Sequence, residues 1–94
     1  MAVDSIGRLL FRLKDTHGFP LDMGIEESRK HGMPIDWDGV VEEARVCGWW
    51  DFKIYEVIDH ALVDCGDPNQ KFILSCIRKY IVSNPHLKML DTPA

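Results

Sequence analysis

The chain has no uninterrupted apolar run near the roughly 20 residues a membrane span requires. Its first residues lack the basic-then-apolar order of a signal peptide, since Asp4, Gly7 and Arg8 interrupt it. It has no Gly-rich phosphate loop, no G-x-S-x-G and no H-E-x-x-H. There is no C-x-x-C pair, and three cysteines is an odd number for a disulfide framework. Cys47, Cys65 and Cys76 fall on apolar positions of expected helices and read as reduced core thiols of a cytoplasmic protein. Taken with His60, their spacing fits no common zinc pattern. No stretch alternates with period two, so no sheet is expected. No cofactor is expected either. Membrane proteins, secreted disulfide scaffolds and the familiar nucleotide and metalloprotease sites are thereby set aside.

What is present is an ordinary globular composition, 46% hydrophobic and 28% charged over 94 residues. That length suits one domain, 1-94, with 1-4 and 86-94 loosely ordered. Helical periodicity predicts five short helices in a compact orthogonal all-α bundle. The first is Ser5–Lys14, carried by Ile6, Leu9, Leu10 and Leu13. The second, Leu21–Lys30, has acids early and Arg29 and Lys30 late, as a helix dipole favours. Asp36 is expected to cap the third, Trp37–Cys47, and Asp51 the fourth, Phe52–Cys65. Asp67-Pro68-Asn69-Gln70 reads as N-cap, N1 proline and capping box of the fifth, Pro68–Ser83. Phe52, Tyr55, Ile58, Leu62 and Cys65 are expected to face the core from the fourth helix, with Ile54, Val57 and Ala61 widening the stripe. Phe72, Ile73, Cys76, Ile77, Tyr80 and Ile81 are expected to do so from the fifth. The tail is expected to dock through Leu87 and Leu90.

The chain turns most sharply between Phe11 and Met23. Asp15 and Thr16 weaken the helix, Gly18 can adopt the left-handed exit, and Pro20 excludes Phe19 from helix. Asp22 then stands in the first turn of the next helix, near its positive end. Phe19 and Leu21 are expected to pin the corner to the core. Through Leu13, Asp15, Thr16, Gly18, Phe19, Pro20 and Asp22 this corner resembles the D-T-Y-G-F-P-x-D segment of alanyl-tRNA synthetases. The resemblance continues weakly into Ile35-Asp36-Trp37-Asp38-Gly39 and Ala44, and covers residues 9-44. Lys14 and His17 stand where that family usually carries Tyr. No aminoacylation core is present, and the four histidines are too far apart for the family's H-x-x-x-H editing spacing. In the family this segment belongs to helices that recognise tRNA. The resemblance therefore implies that Asp22 would read an acceptor stem, with Arg8, Arg12 and Lys14 on phosphates.

Charge is uneven. Between His31 and Asp67 two basic residues face nine acidic ones, a net −7, whereas Pro68–Ala94 carries +3. An acidic middle suits a basic protein partner better than a phosphate backbone. Glu42, Glu43, Asp59 and Asp64, with Trp49 or Trp50 as aromatic anchor, are the candidate docking residues. Two adjacent indoles point different ways, so one is expected to be partly exposed. His60 and Asp64, four apart on one helix, need no catalytic meaning. The first expectation is a non-enzymatic module docking on a protein with a basic surface, such as an accessory or inhibitor of a nucleic-acid-binding system. The alternative is a module that binds tRNA or other structured RNA.

Overall fold

A computed structural model describes residues 5–85. The expectations for 1-4, for 86-94 and for Leu87 and Leu90 lie outside these residues. Five helices run in order, α1 (Ile6–His17), α2 (Leu21–Lys30), α3 (Trp37–Val46), α4 (Asp51–Asp64) and α5 (Gln70–Ser83). The described residues contain no strand. The fold is the expected all-α one, and a single apolar cluster draws on every helix. Phe11, Ile25, Val40, Ile58, Leu62 and Ile77 are at its centre.

The most extensive packing joins α1 to α3. Gly7 lies so close to α3 that a Cβ there would strike the Asp36 carbonyl and the Val40 nitrogen. Gly39 answers it, with Ser5 Oγ and the Asp36 carboxylate filling the space a side chain would need. Ser5 caps α1 conventionally, its hydroxyl accepting from Arg8 N at 3.0 Å. Asp36 adds a second cap from outside, its Oδ1 accepting from Gly7 N at 2.8 Å. This corrects the expectation for Asp36. It holds the N-cap position of α3, but its side chain satisfies an orphan donor of α1 instead.

The other two expected acidic caps are also diverted. Asp51 lies inside α4 after Trp50, and its carboxylate bonds to Arg45. Asp67 closes a tight turn, Oδ1 accepting from Asn69 N at 2.8 Å, so α5 begins at Gln70 rather than Pro68. The Gln70 side chain donates to Asp59 at 2.6 Å instead of forming a capping box.

The helix stops follow the glycines. α2, α3 and α4 each close with paired backbone bonds onto their last turn, as in Trp49 N to Ala44 O at 3.0 Å after Gly48 N to Arg45 O at 2.9 Å. α1 continues one turn beyond Lys14, because the return at Gly18 reaches back to Leu13 and Lys14.

Most of the expected core residues of α4 and α5 are buried or packed on the core, and Phe52, Phe72 and Cys76 depart from expectation. On α4 the buried positions are Ile54, Ile58, Ala61 and Leu62, and Phe52, on the far side of the helix, is 69% exposed. On α5 the buried set is Ile73, Leu74 and Ile77, leaving Phe72 70% exposed. Of the three cysteines expected in the core, only Cys65 packs against it. Cys47 and Cys76 are exposed and Cys65 is half-buried. Cys47 follows the last turn of α3, and Cys76 lies about 100° round the helix from Ile77.

Gly7→Ala is expected to destabilise the domain by about 2–3 kcal/mol, because two rigid backbones must separate. Gly24→Ala meets only the movable tip of Leu10, and its gain in helix propensity offsets most of that strain. Chemical denaturation of both variants checks this, and a Gly7→Ala protein as stable as the parent would contradict it.

Candidate nucleic-acid interface

The elbow between α1 and α2 is built from four residues. Gly18 adopts φ 68°, and the N–H groups of Gly18 and Phe19 return to Lys14 O (3.1 Å) and Leu13 O (3.2 Å). Pro20 then starts α2, its carbonyl accepting from Gly24 N at 3.2 Å. Leu21 is buried and Phe19 half-buried, which pins the corner as the sequence suggested. Asp22 is half-buried in the first turn of α2, where the helix dipole favours its charge. Its carboxylate makes no hydrogen bond or ion pair among the described residues.

Along α1, Arg8 and Arg12 both reach the same carboxylate of α3. Arg8 lies 3.3 Å and Arg12 3.5 Å from Glu43 Oε1. Glu43 is nearly buried, at 12% side-chain exposure, and both guanidiniums remain about two-fifths exposed. Glu43 thus lies within reach of two bases of α1. Lys14, on the same helix, has its Nζ 4.8 Å from the centre of the Trp49 ring, a cation–π distance. Trp49 itself packs edge-on against Phe11, centroids 5.1 Å apart at 89°. The two adjacent indoles therefore divide as expected. Trp49 covers the junction of α1 and α3, while Trp50 is 54% exposed.

The structure scatters the acidic candidates. Glu43 faces α1. Glu42 is held by Arg45 at 3.3 Å and accepts from Tyr80 Oη at 2.5 Å. Asp59 accepts from Gln70, and Asp64 is exposed on α4. Only Trp50 and Asp64 among the six docking candidates point freely outward.

Two groups at the centre of this arrangement were not singled out from the sequence. Arg45 is buried, and it donates to Asp51 through Nε (3.0 Å) and through its terminal nitrogen (3.2 Å). Burial opposes its charge, but the Asp51 bond and the charges of Asp51 and Glu42 outweigh that, so its pKa lies above the ordinary value. The signal was legible: a base in the last turn of α3 and an acid in the first turn of α4 are six residues apart across a glycine turn. Tyr80 ties α5 into the same network. Its bond to Glu42, reinforced by burial, pushes its pKa up to about 12.

Burial raises the Cys47 and Cys65 thiols above their usual range, which disfavours a nucleophilic thiolate. No cluster of three or more His, Cys, Asp or Glu suited to a metal occurs among the described residues. No helix of the described residues is long and apolar enough to cross a membrane.

A 33-residue segment of the chain is 52% identical to the alanine–tRNA ligases of Tropheryma whipplei strains Twist and TW08/27. The segment is 35% of this chain and spans only 4% of the length of those ligases. No family model matches the chain, and no solved structure matches it.

Because the folded protein holds the Tyr80 proton more tightly than the unfolded chain, this group's stabilisation is complete below about pH 10 and is lost as pH rises towards about 12. An ultraviolet phenolate titration should show a late step near pH 12. Tyr80→Phe should remove that step and Glu42→Gln should move it downward. A late step untouched by either substitution would contradict the assignment.

Proposed function

We propose that this domain is a non-catalytic RNA-binding module, acting in the cytoplasm, whose elbow meets a structured RNA of the tRNA acceptor kind. The observation that carries this reading is the segment shared with alanine–tRNA ligases, proteins whose name places tRNA as their substrate. Local geometry supports it. Asp22 is held at the start of α2 with its acceptor oxygens uncommitted, suited to the exocyclic amines of a base edge. Arg8, Arg12 and Lys14 line the neighbouring helix, where guanidinium and ammonium groups can follow phosphates. Their partial neutralisation by Glu43 predicts modest affinity with a shallow salt dependence.

The docking reading through an acidic face ranks second. Glu42, Glu43 and Asp59 already serve bonds within the domain, so recruiting them would cost those bonds. What favours it is the outward indole of Trp50 beside the exposed Phe52.

Titration of total tRNA and of a duplex RNA hairpin at two salt concentrations separates the two. Binding is expected at low salt. Asp22→Ala should weaken it several-fold and change its preference among stem sequences. Arg8→Ala should weaken it evenly and reduce the salt slope by about one. Absence of binding at low salt would remove the RNA reading. Pull-down with Trp50→Ala and Asp64→Lys variants then tests the docking reading.

A further inference from the structure

We propose that the cleft between Trp37 and Phe72 receives one unpaired nucleobase of the bound RNA, an inference that rests on the RNA-binding reading of the elbow. The cleft lies where the end of α2, the start of α3 and the first turns of α5 converge. It measures about 280 Å³ and is lined by Arg29, Trp37, Asn69, Phe72, Ile73 and Cys76. That is just below the range of drug-sized ligand pockets, the scale of a single planar ring system.

Four observations define the occupant. First, the walls are aromatic: Trp37 is half-buried with one side packed on the core, and the ring of Phe72 is largely uncovered. Among the described residues neither Trp37 nor Phe72 makes a ring–ring or cation–ring contact, and Phe72 is 70% exposed. Second, the one cation is neutralised. Arg29 donates to Asp67 Oδ2 through Nε (3.1 Å) and a terminal nitrogen (2.7 Å), and the Asp67 side chain is almost wholly buried although the residue is half-buried. The cleft therefore suits a neutral planar group better than a phosphate, and the fixed guanidinium adds a flat surface for stacking. Third, the Asn69 backbone is fixed by Asp67 at 2.8 Å, while its side-chain amide makes no hydrogen bond within the described residues. That amide offers a donor and an acceptor together, as the edge of a base requires. Fourth, Arg29 lies seven residues after Asp22 on the same side of α2, a rise of about 10 Å. A strand leaving a stem at the elbow could reach the cleft along that helix.

The test uses two hairpin RNAs with identical stems, one blunt and one with a four-nucleotide unpaired 3′ end, together with the free tetranucleotide. The tailed hairpin is expected to bind about ten-fold more tightly than the blunt one, the usual gain from stacking one base. Phe72→Ala should abolish the difference without changing blunt-hairpin affinity, and Phe72→Trp should retain it. Both variants should melt like the parent, since the Phe72 ring contributes little to the core. If the blunt hairpin binds and the tail adds nothing, or Phe72→Ala weakens both hairpins alike, the cleft proposal falls and the elbow reading stands. If the blunt hairpin fails to bind while the tailed one binds in a Phe72-dependent way, the cleft proposal stands and the elbow reading falls. If no RNA binds, both fall.

Discussion

The contact between α1 and α3 at Gly7 is the constraint on which the other features depend. Backbone touches backbone there, and the Asp36 carboxylate spans the gap to an α1 amide. Such closeness is available only where a side chain is missing, and it fixes the register of the two helices to within a fraction of a turn. Glu43, about two turns along α3 from Asp36, thereby comes opposite Arg8 and Arg12. Trp49, just past the end of α3, is brought onto Phe11 and beneath Lys14. The charge pattern of the elbow face follows from this packing rather than from composition. Part of the acidic excess of residues 31–67 is paired with bases of other helices, Glu43 with those of α1 and Asp51 with Arg45 of α3.

A second network links α3, α4 and α5. Arg45, Asp51, Glu42 and Tyr80 connect three helices through charge-assisted hydrogen bonds. Removing Asp51 would leave the buried Arg45 guanidinium without its bidentate partner, which costs more than the pair contributes. The network fixes the turn between α3 and α4, so that Trp49 and Trp50 take opposite directions.

Element boundaries were legible because glycine and proline act locally. The limits of α2 follow from Pro20 and Gly32 alone, and α4 and α5 stop where Gly66 and Asn84-Pro85 interrupt them. The edges of the buried stripes of α4 and α5, at Phe52, Phe72 and Cys76, were not legible, for a physical reason. Both helices are apolar over so much of their circumference that hydropathy does not distinguish the stripe through Phe52 from the one through Ile54. Only the positions of neighbouring helices decide. The three acidic caps failed similarly. An aspartate before a helix is a good cap, but a stronger demand from another element, such as the amide of Gly7 or the guanidinium of Arg45, can outbid it. At the elbow the local geometry was legible and the long-range partners of its side chains were not. Asp22 and Lys14 are where the spacing put them, whereas the shared claim of Arg8 and Arg12 on Glu43 arises across 31 or more residues of chain.

The Asp36–Gly7 bond closes a loop of 29 residues, and all of α2 lies inside it. A flexible segment of that length resists closure through its entropy, which grows with the logarithm of the number of free links. The Gly18–Pro20 elbow shortens the loop in this sense. It replaces freely turning links with one stiff bend that already directs the chain back towards α1. A proline there thus acts on the kinetics of folding as well as on the shape of the finished surface, and the helix pair it helps to close is the one that sets the register of everything else.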